Sequence, residues 1–271
     1  MKYFDIDLKN EKERPLEKLL PDGGLVGIFR TLAVIGDSLS SGEFEGTNEE
    51  GNKTYHDLYE YSWGQYIARI AGLKVYNFSK GGMRADDYMK TFADDRGFWN
   101  RDLACQGYIV AMGANDIPAV MRGELEFGTL ADIDMENWRN NKPTFVGQYA
   151  AMIQRYREIS PDSFFFLMTM PRSDEEGERE PYNNKHQALL YELAKLFPKT
   201  YVLDFRQYAP VYDREFYRNF GLGGHLSAAG YLLTAKMVIS YMDYIIRQDI
   251  RAFMQIGFIG TPWKNTVDVE K

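Results

Sequence analysis

Four stretches of the sequence carry residues that could perform acyl-transfer chemistry. They supply the hydroxyl of Ser38, a glycine pair ending at Gly82, the amide side chain of Asn115 and the imidazole of His225. A nucleophile, neutral hydrogen-bond donors and a general base are the groups that attack an ester carbonyl and stabilise the oxyanion. Each residue taken alone has a simpler interpretation as a helix N-cap, a turn residue or a structural histidine. The chemistry therefore depends on whether the fold brings all four together.

The elements that must position these residues alternate between strands and helices. Apolar runs rich in β-branched and aromatic residues predict five strands, at 32–35, 73–78, 108–112, 163–168 and 200–205. Amphipathic stretches predict helices at 62–71, 84–94, 144–159, 181–196 and 227–247. Such alternation predicts right-handed βαβ units and a parallel sheet covered by helices on both faces.

The last predicted helix has a clear start and a clear apolar face. Ser227 is the expected N-cap, because a serine hydroxyl can accept a hydrogen bond from an amide of the first turn. At helical spacing Leu232, Leu233, Met237 and Tyr241 fall on one stripe, which forms the apolar face of this predicted helix.

Each candidate residue comes just after a predicted strand or in the loop after the fifth. The quoted stretches are "IGDSLS", "NFSKGG", "MGAND" and "GLGGHLSAAGY". Ligands of open parallel sheets bind at the carboxyl ends of the strands, so all four stretches should meet at one edge. The long connections 43–60, 117–142 and 171–181 are expected to hang over that same edge as walls of a pocket.

Composition restricts the class of protein. The 271 residues, 45% of them hydrophobic, can bury one large core, so we expect a single domain over 1–271. We expect 1–24 to be a polar surface arm and 253–271 an aromatic tail, which could form a subunit interface of a homo-oligomer or cover its own sheet edge. A net charge of −7 argues against a nucleic-acid partner.

The sequence also carries expectations about compartment and reactive groups. The single cysteine, Cys105, rules out an intrachain disulfide, and next to an apolar run it is expected to be a small packed hydrophobe. The N-terminal stretch lacks the apolar segment of a secretory signal, and the apolar C-terminal helix is interrupted by Lys236 and Asp243. We therefore expect a cytoplasmic protein with no membrane insertion.

The ordered set of motifs resembles the SGNH, or GDSL-type, hydrolase family. "GDSL" follows the first predicted strand, the glycine pair and "GAND" follow the second and third, and a histidine precedes the final helix. The resemblance implies a flavodoxin-like three-layer α/β/α sandwich with a five-stranded parallel sheet. It also implies hydrolysis of a small-molecule ester through an acyl-enzyme.

Position by position, the resemblance implies a role for each residue. Ser38 is the nucleophile and His225 its general base, while the Ser38 amide, the Gly82 amide and the Asn115 side chain form the oxyanion hole. Gly82 is preferred to Gly81 because it lies five residues after Asn77. No cofactor is needed, and neither the other histidines nor the acids show the spacing of a metal site.

One position departs from the family pattern. Three residues before His225 the family usually has an aspartate, whereas this chain has Leu222. Because the acid of a triad orients the imidazole and stabilises its cation, its loss should cost rate. The replacement could be a backbone carbonyl such as that of Leu222, which we favour, or the carboxylate of Asp213 or Asp204.

The substrate is only loosely constrained by the sequence. A short acyl or acetyl ester is expected, and Trp63, Trp99 and Trp138 could approach the pocket and stack on a sugar, although core packing is the commoner role. The acidic loops disfavour strongly anionic substrates. The missing aspartate also leaves open a degenerate SGNH fold used as a binding or scaffold protein.

Overall fold

A five-stranded parallel sheet forms the centre of the molecule. The computed structural model describes residues 2–3 and 6–266. The sheet strands are β1 Thr31–Gly36, β2 Lys74–Asn77, β3 Gly107–Ala111, β4 Phe164–Met168 and β5 Thr200–Leu203. Their order is β2-β1-β3-β4-β5, and every neighbouring pair is parallel. This is the flavodoxin-like order, so the predicted fold class is confirmed.

The strands are apolar throughout because both faces of the sheet are covered. In β1, Ala33 and Ile35 pack into one apolar cluster, whereas Leu32 and Val34 pack into a second cluster on the opposite face. Successive side chains of a strand point to opposite faces, so a strand between two helix layers needs apolar residues at every position.

The helices that cover the sheet agree with the predicted ones to within a residue or two, apart from a break in one. In chain order the α-helical segments of the described residues are α1 Ser38–Ser41, α2 Trp63–Ala71, α3 Ala85–Asp87, α4 Ala93–Asp95, α5 Asp116–Met121, α6 Phe145–Ile159, α7 Glu180–Leu196, α8 Phe205–Tyr208, α9 Arg214–Phe220 and α10 Ala228–Gln248. The predicted helix 84–94 differs, because a π-helical turn at Tyr88–Phe92 separates α3 from α4.

Helix α10 begins as the sequence predicts but buries a wider face. Ser227 is its N-cap and accepts a hydrogen bond from the Gly230 amide. Met237 and Tyr241 of the predicted stripe are buried, while Leu232 and Leu233 are only half-buried. No helix in the described ranges is both long and apolar enough to cross a membrane.

Among the described residues, three short antiparallel pairs lie outside the predicted strands, and one of them joins Lys2–Tyr3 to Ile6–Asp7 in the N-terminal arm. The strands Glu43–Thr47 and Lys53–Asp57 form what we call the 43–57 hairpin, and Gly221–Leu222 pairs with His225–Leu226. The hairpin leaves directly from α1, which itself follows β1. It is therefore attached to the carboxyl edge of the sheet, where the candidate site is expected.

The C-terminal segment covers the opposite, amino edge of the sheet. Phe253 is buried and stacks on Phe164 at the start of β4, with ring centroids 4.4 Å apart. Arg30, directly before β1, donates hydrogen bonds to the Gly257 and Ile259 carbonyls. Of the two roles left open for the tail, the described part covers the sheet of its own chain.

Replacing Phe253 with alanine should destabilise the fold without touching the carboxyl edge of the sheet. Truncation of a fully buried aromatic ring leaves a cavity, which costs about 3–5 kcal/mol. The free energy of unfolding, measured by urea titration, should fall by that amount. The matched control is Trp263→Ala, because Trp263 is 67% exposed and its loss should change stability by less than about 0.5 kcal/mol. Equal losses in the two variants would contradict this account of the tail.

Candidate functional site at the carboxyl edge of the sheet

Ser38 lies at a tight turn between β1 and α1. Asp37 is the N-cap of α1, and its carboxylate accepts a hydrogen bond of 3.1 Å from the Leu39 amide. The capping role that a serine could have had is thus performed by Asp37. Gly36 is required by close approach, because a Cβ there would lie 2.3 Å from the Ser40 hydroxyl. The turn therefore places Ser38 directly beyond the carboxyl end of β1.

The glycine pair lies at the end of β2, beside α1. Asn77, the last residue of β2, donates long hydrogen bonds of 3.4 and 3.3 Å to the Ser40 and Ser41 carbonyls. Gly82 has a φ of +73°, a conformation that side chains other than that of glycine rarely adopt, and a Cβ there would meet nothing within 4 Å. At Gly81 a Cβ would instead lie 2.0 Å from a Glu43 carboxylate oxygen. The space beside Gly82 is open, whereas that beside Gly81 is filled.

Asn115 lies after β3 and contacts the serine turn. Its side-chain nitrogen is 3.4 Å from the Asp37 carboxylate and 3.2 Å from the Met83 carbonyl. The next residue, Asp116, is fully buried at the start of α5 and accepts a hydrogen bond from the Ala85 amide. Burial raises the pKa of Asp116 to about 7. The β3 loop is thus joined to both the Ser38 turn and the loop that follows Gly82.

His225 lies between two carboxylates of the 43–57 hairpin. Its Nδ1 atom is hydrogen-bonded to Glu45 Oε1 at 3.0 Å, and its Nε2 atom is 3.1 Å from Glu43 Oε1. The side chain of His225 is only 15% exposed, and Tyr55 contacts its ring edge to face at 6.0 Å. Helix α1, which begins at Ser38, packs against the His225–Leu226 strand. The strand that carries His225 therefore lies beside the helix that begins at Ser38.

The 43–57 hairpin positions its acids through its own alternation. Phe44 points away from Glu43 and Glu45 and packs between Tyr61 and Tyr231, with ring centroids 5.7 and 5.6 Å away. The Tyr231 hydroxyl also donates a hydrogen bond of 2.7 Å to the Glu43 carbonyl. Phe44 thus packs one face of the strand against α10, and the two acids on the opposite face point towards His225.

The electrostatics of this acidic group differ from residue to residue. Burial raises the pKa of Asp37 to about 6, against the opposing effects of the Leu39 amide and His225. Burial also raises the pKa of Glu43, and His225 opposes that increase. A hydrogen bond from Lys53 lowers the pKa of Glu45, although burial acts in the opposite direction. Of the two carboxylates at the imidazole, Glu45 is the one that stays ionised most readily.

The other predicted candidates lie elsewhere or have other partners. Asp204 is buried and accepts hydrogen bonds from Thr169, Gln187 and Tyr191, and Asp213 caps α9. The Leu222 carbonyl, favoured from the sequence, is not the group found at Nδ1, which is bonded to Glu45 instead. Sequence reasoning missed this partner because Glu45 lies 180 residues away along the chain.

The other two histidines and the single cysteine differ from His225 in their burial and contacts. His186 is fully buried behind the β3 loop, where a Cβ on Gly113 would lie 3.0 Å from it, and burial lowers the pKa of His186 to about 4. His56 is exposed on the 43–57 hairpin, 2.9 Å from the Thr54 hydroxyl. Cys105 is buried as expected, and burial raises the pKa of its thiol to about 12.

Aromatic residues near the site are not the ones singled out from the sequence. Trp63 is buried in the core, and Trp99 and Trp138 lie against the Arg155 guanidinium, at 4.0 and 5.0 Å. Tyr55 is the aromatic residue against His225, and 54% of it is exposed. Tyr55 lies in "KTYHD", the second strand of the hairpin, and this polar stretch carries no pattern that would have singled it out.

An α/β/α sandwich with Ser, Gly, Asn and His at the carboxyl edge of its sheet is the arrangement of an SGNH-type hydrolase. The model of the GDSL-like lipase/acylhydrolase family matches residues 34–233. This match covers well over half of the chain and includes all four candidate residues. The chain belongs to this family.

Solved structures with the same fold include two carbohydrate esterases. One, a family two carbohydrate esterase from Clostridium thermocellum in complex with cellohexaose, has a TM-score of 0.56 and 17% identity over 86% of this chain and 66% of that one. The other, a family 2 carbohydrate esterase with a carbohydrate-binding domain from Corynascus thermopiles (Myceliophthora fergusii), has a TM-score of 0.53 and 16% identity over 78% and 64%. The chain thus spans just under two thirds of each. No curated protein matches the sequence significantly.

Replacing Asp37 with asparagine should alter how stability depends on pH. The folded-state pKa of about 6 exceeds the ordinary value of 3.8, so between these values the carboxyl is protonated when folded and ionised when unfolded. The wild-type free energy of unfolding should therefore lose about 3 kcal/mol from this group as pH rises through that window. The asparagine variant lacks this loss.

The measurement is a set of urea titrations of both proteins between pH 4 and pH 7. The unfolding free energy of Asp37→Asn minus that of the wild type should rise with pH by about 3 kcal/mol. A difference that stays constant, or falls, would contradict the burial of an unfavourable charge at Asp37.

Proposed function

We propose that the protein is a serine esterase that hydrolyses a small ester through an acyl-enzyme, with Ser38 as nucleophile and His225 as general base. The observation that carries the proposal is the packing of α1, which begins at Ser38, against the strand that carries His225. Membership of the GDSL-like lipase/acylhydrolase family supports it independently. The four residue types required for acyl transfer are all present at one edge of the sheet.

In the proposed reaction, the Nε2 atom of His225 takes the proton of Ser38 as the hydroxyl attacks the ester carbonyl. The protonated imidazole then gives this proton to the departing alcohol, and water repeats the sequence to release the acid. Glu43 now contacts Nε2. Its carboxylate must therefore move aside when the hydroxyl and the substrate approach.

The proposed oxyanion hole consists of the Ser38 amide, the Gly82 amide and the Asn115 side chain. The Ser38 amide is the first of α1, a position that has no acceptor within its own helix. The open space beside Gly82 and the long contacts of Asn115 are compatible with a bound oxygen atom. One such donor is typically worth about 3 kcal/mol of barrier.

The finer proposal for the substrate is an acetyl or short acyl ester carried by a neutral carbohydrate. Tyr55, exposed beside His225, offers an aromatic face on which a sugar ring could stack. The carboxylates of Glu43, Glu45 and Asp57 lie close together and disfavour an anionic substrate. The two carbohydrate esterases described above share the fold, which is compatible with this choice of substrate.

Replacing Ser38 with alanine should abolish hydrolysis of p-nitrophenyl acetate and labelling by a fluorophosphonate probe. Without the nucleophile no acyl-enzyme forms, and kcat should fall by at least about 10⁴-fold. His225→Ala should lose activity to a similar extent, because the two residues act as a unit. Stopped assays and mass spectrometry of the labelled protein provide the two readouts.

His56→Ala is the matched control, because His56 lies exposed on the 43–57 hairpin outside the proposed machinery. It should keep wild-type kcat and probe labelling. Full activity in Ser38→Ala would remove the nucleophile assignment. A folded wild-type protein that hydrolyses no ester and is not labelled would favour the alternative, an SGNH fold used only for binding.

Replacing Tyr55 with alanine tests the carbohydrate proposal. The KM for an acetylated oligosaccharide should rise about tenfold, whereas the KM for p-nitrophenyl acetate should change little, because only the former has a ring to stack. The control is Tyr59→Ala, at a tyrosine that is 46% exposed and lies outside the 43–57 hairpin. An equal effect of Tyr55→Ala on both substrates would contradict sugar stacking at this residue.

A further inference from the structure

The position that orients the base in related hydrolases carries no acid in this chain. Leu222, three residues before His225, is apolar and 41% exposed. It is the backbone partner of His225 in the short antiparallel pair. A neutral imidazole with no fixed partner at Nδ1 can carry its proton on either nitrogen, and only one of these tautomers can accept the serine proton at Nε2.

We propose that Glu45, from the 43–57 hairpin, is the positioning residue that orients His225 in place of the absent aspartate. The proposal rests on the hydrolase function proposed above and adds a residue to it. Glu45 reaches the imidazole from the segment directly after the nucleophile helix, rather than from the loop that carries the histidine.

The hydrogen bonds of Glu45 fix its carboxylate at the histidine. Oε1 accepts a hydrogen bond of 2.6 Å from the Gly224 amide and lies 3.0 Å from His225 Nδ1. Oε2 is 3.0 Å from the Lys53 ammonium group on the neighbouring strand of the hairpin. The Glu45 side chain is only 9% exposed. Three partners, two at Oε1 and one at Oε2, thus restrict the orientation of this carboxylate.

The charge of Glu45 decides which nitrogen of His225 carries the proton. The hydrogen bond from Lys53 lowers the pKa of Glu45, so the carboxylate is ionised at neutral pH and can only accept hydrogen bonds. The Nδ1 atom facing it must then be the protonated one. Nε2 can then accept the serine proton once the Glu43 carboxylate, 3.1 Å away, has moved aside, and an imidazolium formed during the reaction is stabilised by the Glu45 anion.

The two glycines before His225 make room for this carboxylate. A Cβ on Gly223 would lie 2.2 Å from Glu45 Oε2, and a Cβ on Gly224 would lie 2.6 Å from Oε1. Gly223 also has a φ of +64°, in the region that favours glycine. The "GG" before the histidine is therefore explained by the approach of Glu45, which no side chain at these positions would permit.

Glu43 contacts the same ring but is unsuited to this role. Its carboxylate lies on the Nε2 side, 3.1 Å away, where the serine proton must arrive. Burial raises the pKa of Glu43, so its negative charge is held less firmly than that of Glu45. Glu43 and Glu45 lie on the same face of one strand but contact different nitrogens of His225, and only Glu45 is suited to orient the ring.

The test compares Glu45→Ala and Glu45→Gln with the wild type by NMR of ¹⁵N-labelled histidine. The His225 signals are assigned from their absence in His225→Ala. At a pH where titration shows the imidazole to be neutral, wild-type His225 should carry its proton on Nδ1. Glu45→Ala should shift the population towards the Nε2-protonated tautomer. Glu45→Gln, of the same size, provides a second variant in case the smaller side chain unsettles the hairpin.

Kinetics with p-nitrophenyl acetate provide the second readout. In both Glu45 variants kcat should fall by about 10² to 10⁴-fold, while KM changes less than about threefold, because Glu45 is proposed to act through His225. Glu49→Gln is the matched control. Glu49 lies exposed at the tip of the same hairpin, and its variant should keep the wild-type tautomer and kcat.

An unchanged His225 tautomer in folded Glu45→Ala, or a wild-type kcat in both Glu45 variants, would overturn the proposal. The tautomer measurement does not depend on turnover. If the protein has no esterase activity but the His225 tautomer still changes in Glu45→Ala, the result would therefore contradict the proposed function alone. If the enzyme is active but the His225 tautomer is unchanged in Glu45→Ala, the result would contradict this inference alone.

Discussion

The parallel direction of all five strands is the constraint on which the rest of the structure depends. Each crossover returns the chain to the amino edge before the next parallel strand begins. All the strands therefore end at the same edge of the sheet, the carboxyl edge. The Ser38 turn, the Gly81–Gly82 turn and the Asn115 loop lie in the segments that follow three neighbouring strands, β1, β2 and β3. Their proximity thus follows from backbone hydrogen bonding, before any side chain is considered.

The side chains at this edge are arranged at an electrostatic cost. Asp37, Glu43 and Asp116 all have pKa values raised by burial, which means that their charged forms are disfavoured where they lie. Groups held in unfavourable surroundings are common at functional sites, since surroundings that suit chemistry seldom suit stability. Glu45 is the exception, because Lys53, Gly224 and His225 all favour its ionised form.

The amino edge of the sheet has a different character. There Arg30 and Gln106 bind carbonyls of the C-terminal segment, and Phe253 stacks on Phe164 and Tyr201. These contacts are apolar stacking and satisfied hydrogen bonds. The contacts of the C-terminal segment and the candidate site thus lie at opposite ends of the same strands. The sheet is therefore stabilised at its amino edge, while acids with unfavourably buried charges lie at its carboxyl edge.

The sequence by itself determined the strands and long helices of the sheet, because apolar runs and helical periodicity record which faces are buried. Ser38, Gly82, Asn115 and His225 could be selected for the same reason, since each lies where a parallel sheet places ligands. The partner of His225 could not be found in this way. Glu45 and Tyr55 belong to a hairpin that the sequence presents as a polar loop, and their contacts with His225 join residues far apart in the chain. Only the tertiary structure decided that pairing, because a contact between distant segments depends on how the whole chain packs. Such a contact produces no periodic pattern in the local sequence.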